Sequence, residues 1–265
     1  MKTKRLLMMM AIAVMMAGCH SANKNKVAEA GQDAREEATE PVAEQMTVSD
    51  GRLQYGQHDY RFDDGLTLDG DQPAADAAQQ EATLTFTHFP ASVAEFEALQ
   101  QHLLGRSMAG SLALNLLAYE MYRRDRETGE QCIRLCNTET NASSSLRTLK
   151  EKFSTKRYDA DDRDTYHQPY LVASFLDGAT QQSKYQPTKP YTMRFHWSVN
   201  PNVKQHERSD MLYGYIYHLY AERNGGNRCD ASVLVPDEGD MILVNNCPNF
   251  YFAVPNIQRW EDTLE

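Results

Sequence analysis

The first nineteen residues, MKTKRLLMMMAIAVMMAGC, decide how much of this 265-residue chain is available to fold. Lys2, Lys4 and Arg5 precede an apolar run from Leu6 to Met16. About a dozen apolar residues behind a positive start is a signal-peptide pattern, and it falls short of the roughly 20 that a bilayer-spanning helix needs. Residues 1–18 are therefore set aside as a leader. The chain from there to about Thr47 is rich in Ala, Glu, Lys, Gln and Asn, with almost no large apolar side chain. Such a segment cannot bury enough surface to offset the entropy lost on ordering, so 19–47 reads as a flexible tether. What remains, 48–257, is long enough for a single domain with a substantial core.

Met16-Ala17-Gly18-Cys19 resembles the lipobox of bacterial lipoproteins: a bulky apolar residue and two small ones before the cysteine that receives the lipid. The resemblance implies cleavage after Gly18 and lipidation of Cys19, with the membrane as a partner through that anchor. Small residues let the backbone enter a protease cleft, and a thiol can carry a thioether lipid. Two or more acyl chains hold firmly, because each buried methylene adds about 0.8 kcal/mol. His20, in place of an aspartate, implies the outer membrane, and the absence of acids from residues 20–26 implies the periplasm-facing side. Losing Lys2, Lys4 and Arg5 with an acid-free leader takes the formal charge from −10 to −13. That sign repels phosphate backbones and no basic stripe overcomes it, which excludes nucleic acid.

Within 48–257, Arg52–Tyr55 and His58–Phe62 read as a small hairpin around Gly56, and Ala82–Phe89 alternates as a strand. Ser92 with Glu95 forms a capping box for a helix whose apolar stripe is Val93, Phe96, Leu99, Leu103 and Leu104. Gly105 ends it, and a longer helix runs from Ser107 to about Arg126. Thr128-Gly129 reads as an interruption before short helices at Glu130–Leu135 and Ser144–Phe153. Beyond Asp159, strands are expected at Tyr170–Leu176, Tyr191–Val199, Leu212–Glu222, Ala231–Val235, Met241–Asn245 and Phe250–Val254. The expectation is an α+β domain. Its N-terminal helical segment (about 92–153) packs on a C-terminal, mainly antiparallel β-sheet (about 170–254).

The stretch Val235–Met241 fits a three-residue hairpin loop with Gly239 in the left-handed position. That register places Val235 opposite Met241, Val233 opposite Leu243 and Cys229 opposite Cys247, within reach of a disulfide in an oxidising compartment. Cys132 and Cys136, one helical turn apart, read as two small buried hydrophobes. No cofactor and no metal is expected. Zinc-knuckle spacing is missing, and Asp159–Asp164 lacks the glycine and closing glutamate of a calcium loop. Gly105–Gly110 is too long for a nucleophile elbow. His196 and His218 fall on strands as structural residues. Tyr213, Tyr215 and Tyr217 share one strand face. With Trp197 they are candidate ligand-facing aromatics, although packing as ordinary sheet core is the preferred reading.

Gly178-Ala179-Thr180 followed by Tyr185-x-Pro187-x-x-Pro190-Tyr191 resembles the GAT…YxPxxPY signature of a domain of unknown function. That domain occurs in exported proteins and lipoproteins of anaerobic, often gut-dwelling, bacteria. Gly225-Gly226 before Arg228 corresponds to its glycine pair, and the resemblance covers about Leu84 to Val254. It implies no activity and no site residues. The functional expectation is a membrane-anchored cell-envelope lipoprotein whose domain is a non-enzymatic binding module for an envelope protein or glycan. The alternative is an envelope hydrolase acting on glycan or peptide, with Glu222, Asp177 or Asp210 as its acids.

Overall fold

A computed structural model describes residues 45–65, 68–69, 72–73, 80–154, 169–197, 205–209, 212–224, 227–251 and 254. Cys19, the expected tether up to residue 44, the Asp159–Asp164 loop, the Gly225-Gly226 pair and Asp210 lie outside the described residues. The chain opens with three short strands, β1 (Met46–Ser49), β2 (Arg52–Tyr55) and β3 (His58–Asp63). A two-strand ribbon follows, β4 (Leu68–Asp69) with β5 (Gln72–Pro73), and then β6 (Gln80–Phe86). Helices α1 (Val93–Leu99), α2 (Met108–Arg124), α3 (Arg126–Cys136) and α4 (Glu139–Lys152) come next, with a π-helical turn at Gln100–Leu104. The chain then returns to strands: β7 (Tyr191–Trp197), β8 (Gln205–Ser209), β9 (Leu212–Arg223), β10 (Asn227–Pro236) and β11 (Leu243–Asn246).

These strands make one antiparallel half-barrel sheet in the order β1-β2-β3-β6-β7-β9-β10-β11, with β8 alongside β9. This overturns the expected arrangement of an N-terminal helical segment on a C-terminal sheet. Half of the sheet precedes the helices, which are an insertion between its two central strands. The join is the β6–β7 pairing, which sets Ala82 opposite Phe195, Leu84 opposite Met193 and Phe86 opposite Tyr191. Alternation along Ala82–Phe89 identifies a half-buried strand but carries no information about its partner, and that partner lies more than a hundred residues away.

The sheet supplies a buried face of Tyr60, Leu84, Phe86, Phe195 and Val233, and α2 packs against it, touching β6, β7, β10 and β11. Leu112, Ala113, Leu114, Leu116, Leu117 and Ala118 are all fully buried, so this stretch of α2 is enclosed on every side, as a core helix is. Its start follows the sequence: Ser107 caps it by accepting from the Gly110 amide at 3.1 Å. Gly129 does not interrupt. Asp125 ends α2 and caps α3, accepting from the Thr128 amide at 2.8 Å, and Gly129 lies in the first turn of α3 against the Tyr122 backbone.

Three further expectations change. Tyr170–Leu176 forms turns and a 3-10 segment instead of a strand, with a bridge from Leu176 to Met193 and the Arg223 guanidinium of β9 over the Phe175 ring. Phe250–Val254 begins in a 3-10 helix, Pro248–Tyr251. The last hairpin is slipped: Leu234 pairs Leu243, Val233 pairs Val244 and Ser232 pairs Asn246 across a bulge. Beside the slip, the Ile242 amide donates to the Gly105 carbonyl at 2.8 Å, tying the end of the loop to the helices. β11 ends at Asn246, so Cys247 lies beyond it, while on its β9 side Cys229 lies opposite Ala221. The expected Cys229–Cys247 bridge is not made, and all four described cysteines are thiols.

A methyl group at Gly129 would overlap the Tyr122 backbone. Gly129→Ala is expected to lower unfolding free energy by about 1–3 kcal/mol, read as an earlier urea midpoint at unchanged slope. Gly56→Ala, at a positive φ of 57° with open space around it, is expected to cost no more than about 1–2 kcal/mol.

Candidate functional site

Where β3, β6 and the start of α1 meet, a buried carboxylate organises the local structure. Glu95 is 1% exposed, and its Oε1 sits 2.6 Å from His58 Nδ1 and 2.7 Å from the Tyr60 hydroxyl. Its Oε2 accepts from the Ala91 amide at 2.7 Å, one residue earlier than a simple capping box would reach, while Ser92 Oγ accepts from the Glu95 amide. Three donors, together with the positive end of α1, offset the cost of burying the charge. Burial first, then the charge and hydrogen bond of Glu95, pushes the Tyr60 hydroxyl well above the ordinary phenol range. An ionised carboxylate only accepts, so His58 donates through Nδ1. Its ring stacks on His88 at 4.7 Å.

Beside this pair an open groove of about 530 Å³ is lined by Asp59, Arg61, Thr85, Phe86, Thr87, His88, Lys189 and Pro190. Its side chains come from sequence-distant segments that the β6–β7 pairing brings together. Arg61 and Thr85 are direct cross-strand partners. Thr87 is fixed by accepting from the Asp59 amide at 3.0 Å, and His88 Nδ1 lies 3.1 Å from the Thr87 hydroxyl. Asp59 is held by Arg52 at 2.6 Å, with Arg61 a more distant partner at 3.7 Å. Lys189 reaches over the Tyr191 ring at 5.5 Å. Sequence reading missed the groove because Arg61 and Lys189 are ordinary surface cations until the strands are paired.

Lys189 and Pro190 belong to the Gly178–Tyr191 loop, whose geometry accounts for its residue types. Gly178 has φ +78°, and a Cβ there would press on the Thr188 side chain. Ser183 Oγ donates to the Gly178 carbonyl, the Thr180 amide donates to Ser183 Oγ, and the Tyr185 amide donates to the Thr180 carbonyl. The Lys189–Pro190 peptide is cis. Asn224 at the end of β9 clasps the loop through the Leu176 and Ala179 carbonyls, and Tyr185 stacks on Tyr170 at 4.4 Å.

A second polar cluster lies entirely inside. Cys247 Sγ is 3.2 Å from the Tyr119 hydroxyl and about as close to the side-chain amides of Asn115 and Asn141, at 3.6 and 3.5 Å. Asn137 donates to Asn115 Oδ1 and the Ile133 carbonyl, and Tyr251 bonds to Ser145 and Tyr119. Each member of the cluster is buried. Burial pushes the Cys132 thiol up to about 12, aided by the Glu97 charge, and pushes Cys136 well above the ordinary thiol range, aided by Cys132 and Cys247. The Cys132 and Cys136 thiols are thus held protonated and shielded from solvent.

The other candidates separate. Tyr217 packs against the core, Tyr215 is half-buried and Tyr213 is 54% exposed, so the tyrosine ladder runs out of the core along β9. Trp197 ends β7, and its side chain lies outside the described residues. Asp177 is paired with Arg194 at 2.8 Å and Glu222 lies 3.2 Å from His196 Nε2, so each of these acids has a different neighbour. Among the described residues no group of His, Cys, Asp or Glu is arranged to hold a metal, and no helix is long and apolar enough to cross a membrane.

This half-barrel, with helices inserted at its middle and a groove across the seam, defines a mixed α/β class that carries no activity with it. Residues 88–256, well over half the chain, match the family described as Domain of unknown function (DUF6935), and the chain belongs to that family. No curated protein and no solved structure matches it. The matched span contains His88, Glu95, Lys189 and Pro190; Asp59, Arg61, Thr85 and Thr87 precede it.

Raised thiol values make stability fall with alkalinity. Between about 8.5, where an unfolded cysteine ionises, and about 12, the unfolded chain releases protons that folded Cys132 keeps. Urea midpoints are expected to decline across that window. At pH 8, iodoacetamide is expected to leave Cys132 and Cys136 unmodified until the chain is unfolded, as peptide mass mapping would record.

Proposed function

We propose that this protein is a membrane-anchored envelope lipoprotein, held by lipid at Cys19 to the periplasm-facing side of the outer membrane, and that its domain is a non-enzymatic binding module for an envelope glycan or protein. The observation that carries the binding reading is the groove over β3, β6 and the Lys189-Pro190 turn. Asp59, Arg61 and Thr85 stand on strands paired on both sides, and Thr87 is held by the Asp59 amide, so this part of the surface is formed in advance. The leader and the Cys19 motif support the location. A second reading, an envelope hydrolase, is favoured by one feature: a buried carboxylate holding an imidazole is how a general base is oriented. The binding reading is preferred because Glu95 is also tied to Tyr60 and Ala91, which makes it a staple between β3 and α1.

Expression of the full chain in an envelope-bearing bacterial host, fed an alkyne-tagged fatty acid, tests the anchor. The tag is expected on the wild-type chain in the outer-membrane fraction, and Cys19→Ser is expected to lose both the tag and the membrane association. An untagged wild-type chain recovered from the cytosol would contradict the reading. Saccharide or peptide turnover that disappears in His58→Gln would establish the hydrolase instead.

A further inference from the structure

The groove has a charge and a backbone environment that narrow its ligand, an inference resting on the binding reading above. Its charged lining is Arg61 and Lys189 against Asp59, and the Asp59 carboxylate is already held by Arg52 at 2.6 Å. His88 adds an exposed imidazole, fixed in plane by its stack on His58. A cationic groove on a chain of net charge −10 is a local exception to the protein's overall sign, and it concentrates anions.

The backbone beneath excludes one common mode of recognition. A peptide bound as an added strand needs a free sheet edge. The groove lies over β3, which is paired to both β2 and β6, and over β6, which is paired to both β3 and β7. The ladder amides and carbonyls of these strands are already paired, so an occupant lying over them meets their side chains. The side chains on offer are the Thr85 and Thr87 hydroxyl and methyl groups, the His88 ring, the Pro190 ring and two cations. Flat rings and methyl groups suit the C–H faces of a sugar, hydroxyls and imidazole suit its hydroxyls, and Arg61 and Lys189 suit an acid. A volume of about 530 Å³ is the size of a small-ligand site.

We infer that the groove binds an anionic saccharide, with Arg61 and Lys189 flanking its acidic group. The acid is a uronate or a sugar phosphate, chemistries that two cations serve alike. Because Asp59, Arg61, Thr85 and Thr87 precede the family span while His88 and Lys189 fall within it, the site is assembled from both parts of the chain.

Titration calorimetry on the full chain in detergent tests the inference with four probes: trigalacturonate, glucose 6-phosphate, neutral cellotriose and hexaglutamate. Trigalacturonate or glucose 6-phosphate is expected to bind, whichever does so identifying the acid, while cellotriose and hexaglutamate bind at least tenfold more weakly. Arg61→Gln and Lys189→Gln are expected to weaken binding of the anionic sugar about tenfold each, the usual scale for one charged hydrogen bond. Both residues are exposed, so the melting temperature is expected to stay unchanged. Equal binding of cellotriose, tighter binding of hexaglutamate, no binding of either anionic sugar, or affinity unaffected by both substitutions would each overturn the inference. Such a failure with Cys19 still lipidated leaves the anchored-lipoprotein reading standing, whereas loss of lipidation with groove binding intact removes that reading alone.

Discussion

The antiparallel pairing of β6 with β7 is the contact around which this molecule is built. It joins segments more than a hundred residues apart. Closing such a loop costs about 4 kcal/mol in chain entropy on the length-dependent part alone. The return is a continuous sheet, because β1, β2 and β3 reach the C-terminal strands only through β6. It also creates the concave face into which α2 fits. A helix buried over most of its surface, as α2 is, has no stable solvent-facing orientation, so the helical insertion and the continuous sheet require one another. The edge formed by β11 is covered where the α3–α4 corner adds an Asn137–Val244 bridge, with the Thr138 amide donating to Val244 at 2.9 Å.

Polar groups inside this frame are tied down. Glu95 fastens α1 to β3 through His58 and Tyr60, and the Asn115–Asn137–Asn141 set fastens α2, α3 and α4 to Cys247 behind β11. Buried networks of this kind specify one arrangement, because a shifted helix would strand several donors at once. The groove inherits that rigidity. Its floor is ladder, its rim is held by Thr87 and the His58–His88 stack, and its far wall is the clasped Gly178–Tyr191 loop.

Local signals in the sequence were strong and distant ones were silent. Ser92, Ser107 and Gly105 marked helix boundaries correctly, because a cap or a break is decided by a few neighbouring atoms. The alternation in Tyr191–Val199 and Ala82–Phe89 gave strands at the right places. It said nothing of which strands pair, and so the sheet was assigned to the C-terminal half alone. Gly129 looked like a breaker when its role is close helix approach, which is visible only once Tyr122 is beside it. The Cys229–Cys247 expectation failed because the pairing is offset by one residue at Leu234–Leu243 and by two beyond the bulge, at Ser232–Asn246, and because β11 ends before Cys247. Of the groove, Thr85 to His88 are legible as one alternating strand and Pro190 as part of a family signature, with nothing to join the two. Arg61 and Lys189 carry no local pattern at all.

The claim beneath all of this is that β6 and β7 lie side by side in the stated register. Thr85 and Thr192 face one another directly, so Thr85→Cys with Thr192→Cys brings two thiols within bridging distance, whereas Thr85→Cys with Arg194→Cys is offset by two residues. Mild oxidation followed by peptide mass mapping is predicted to give the 85–192 disulfide in high yield and little or none between 85 and 194. Failure of the 85–192 bridge, or preferential formation of the offset one, would contradict a sheet assembled from both ends of the chain.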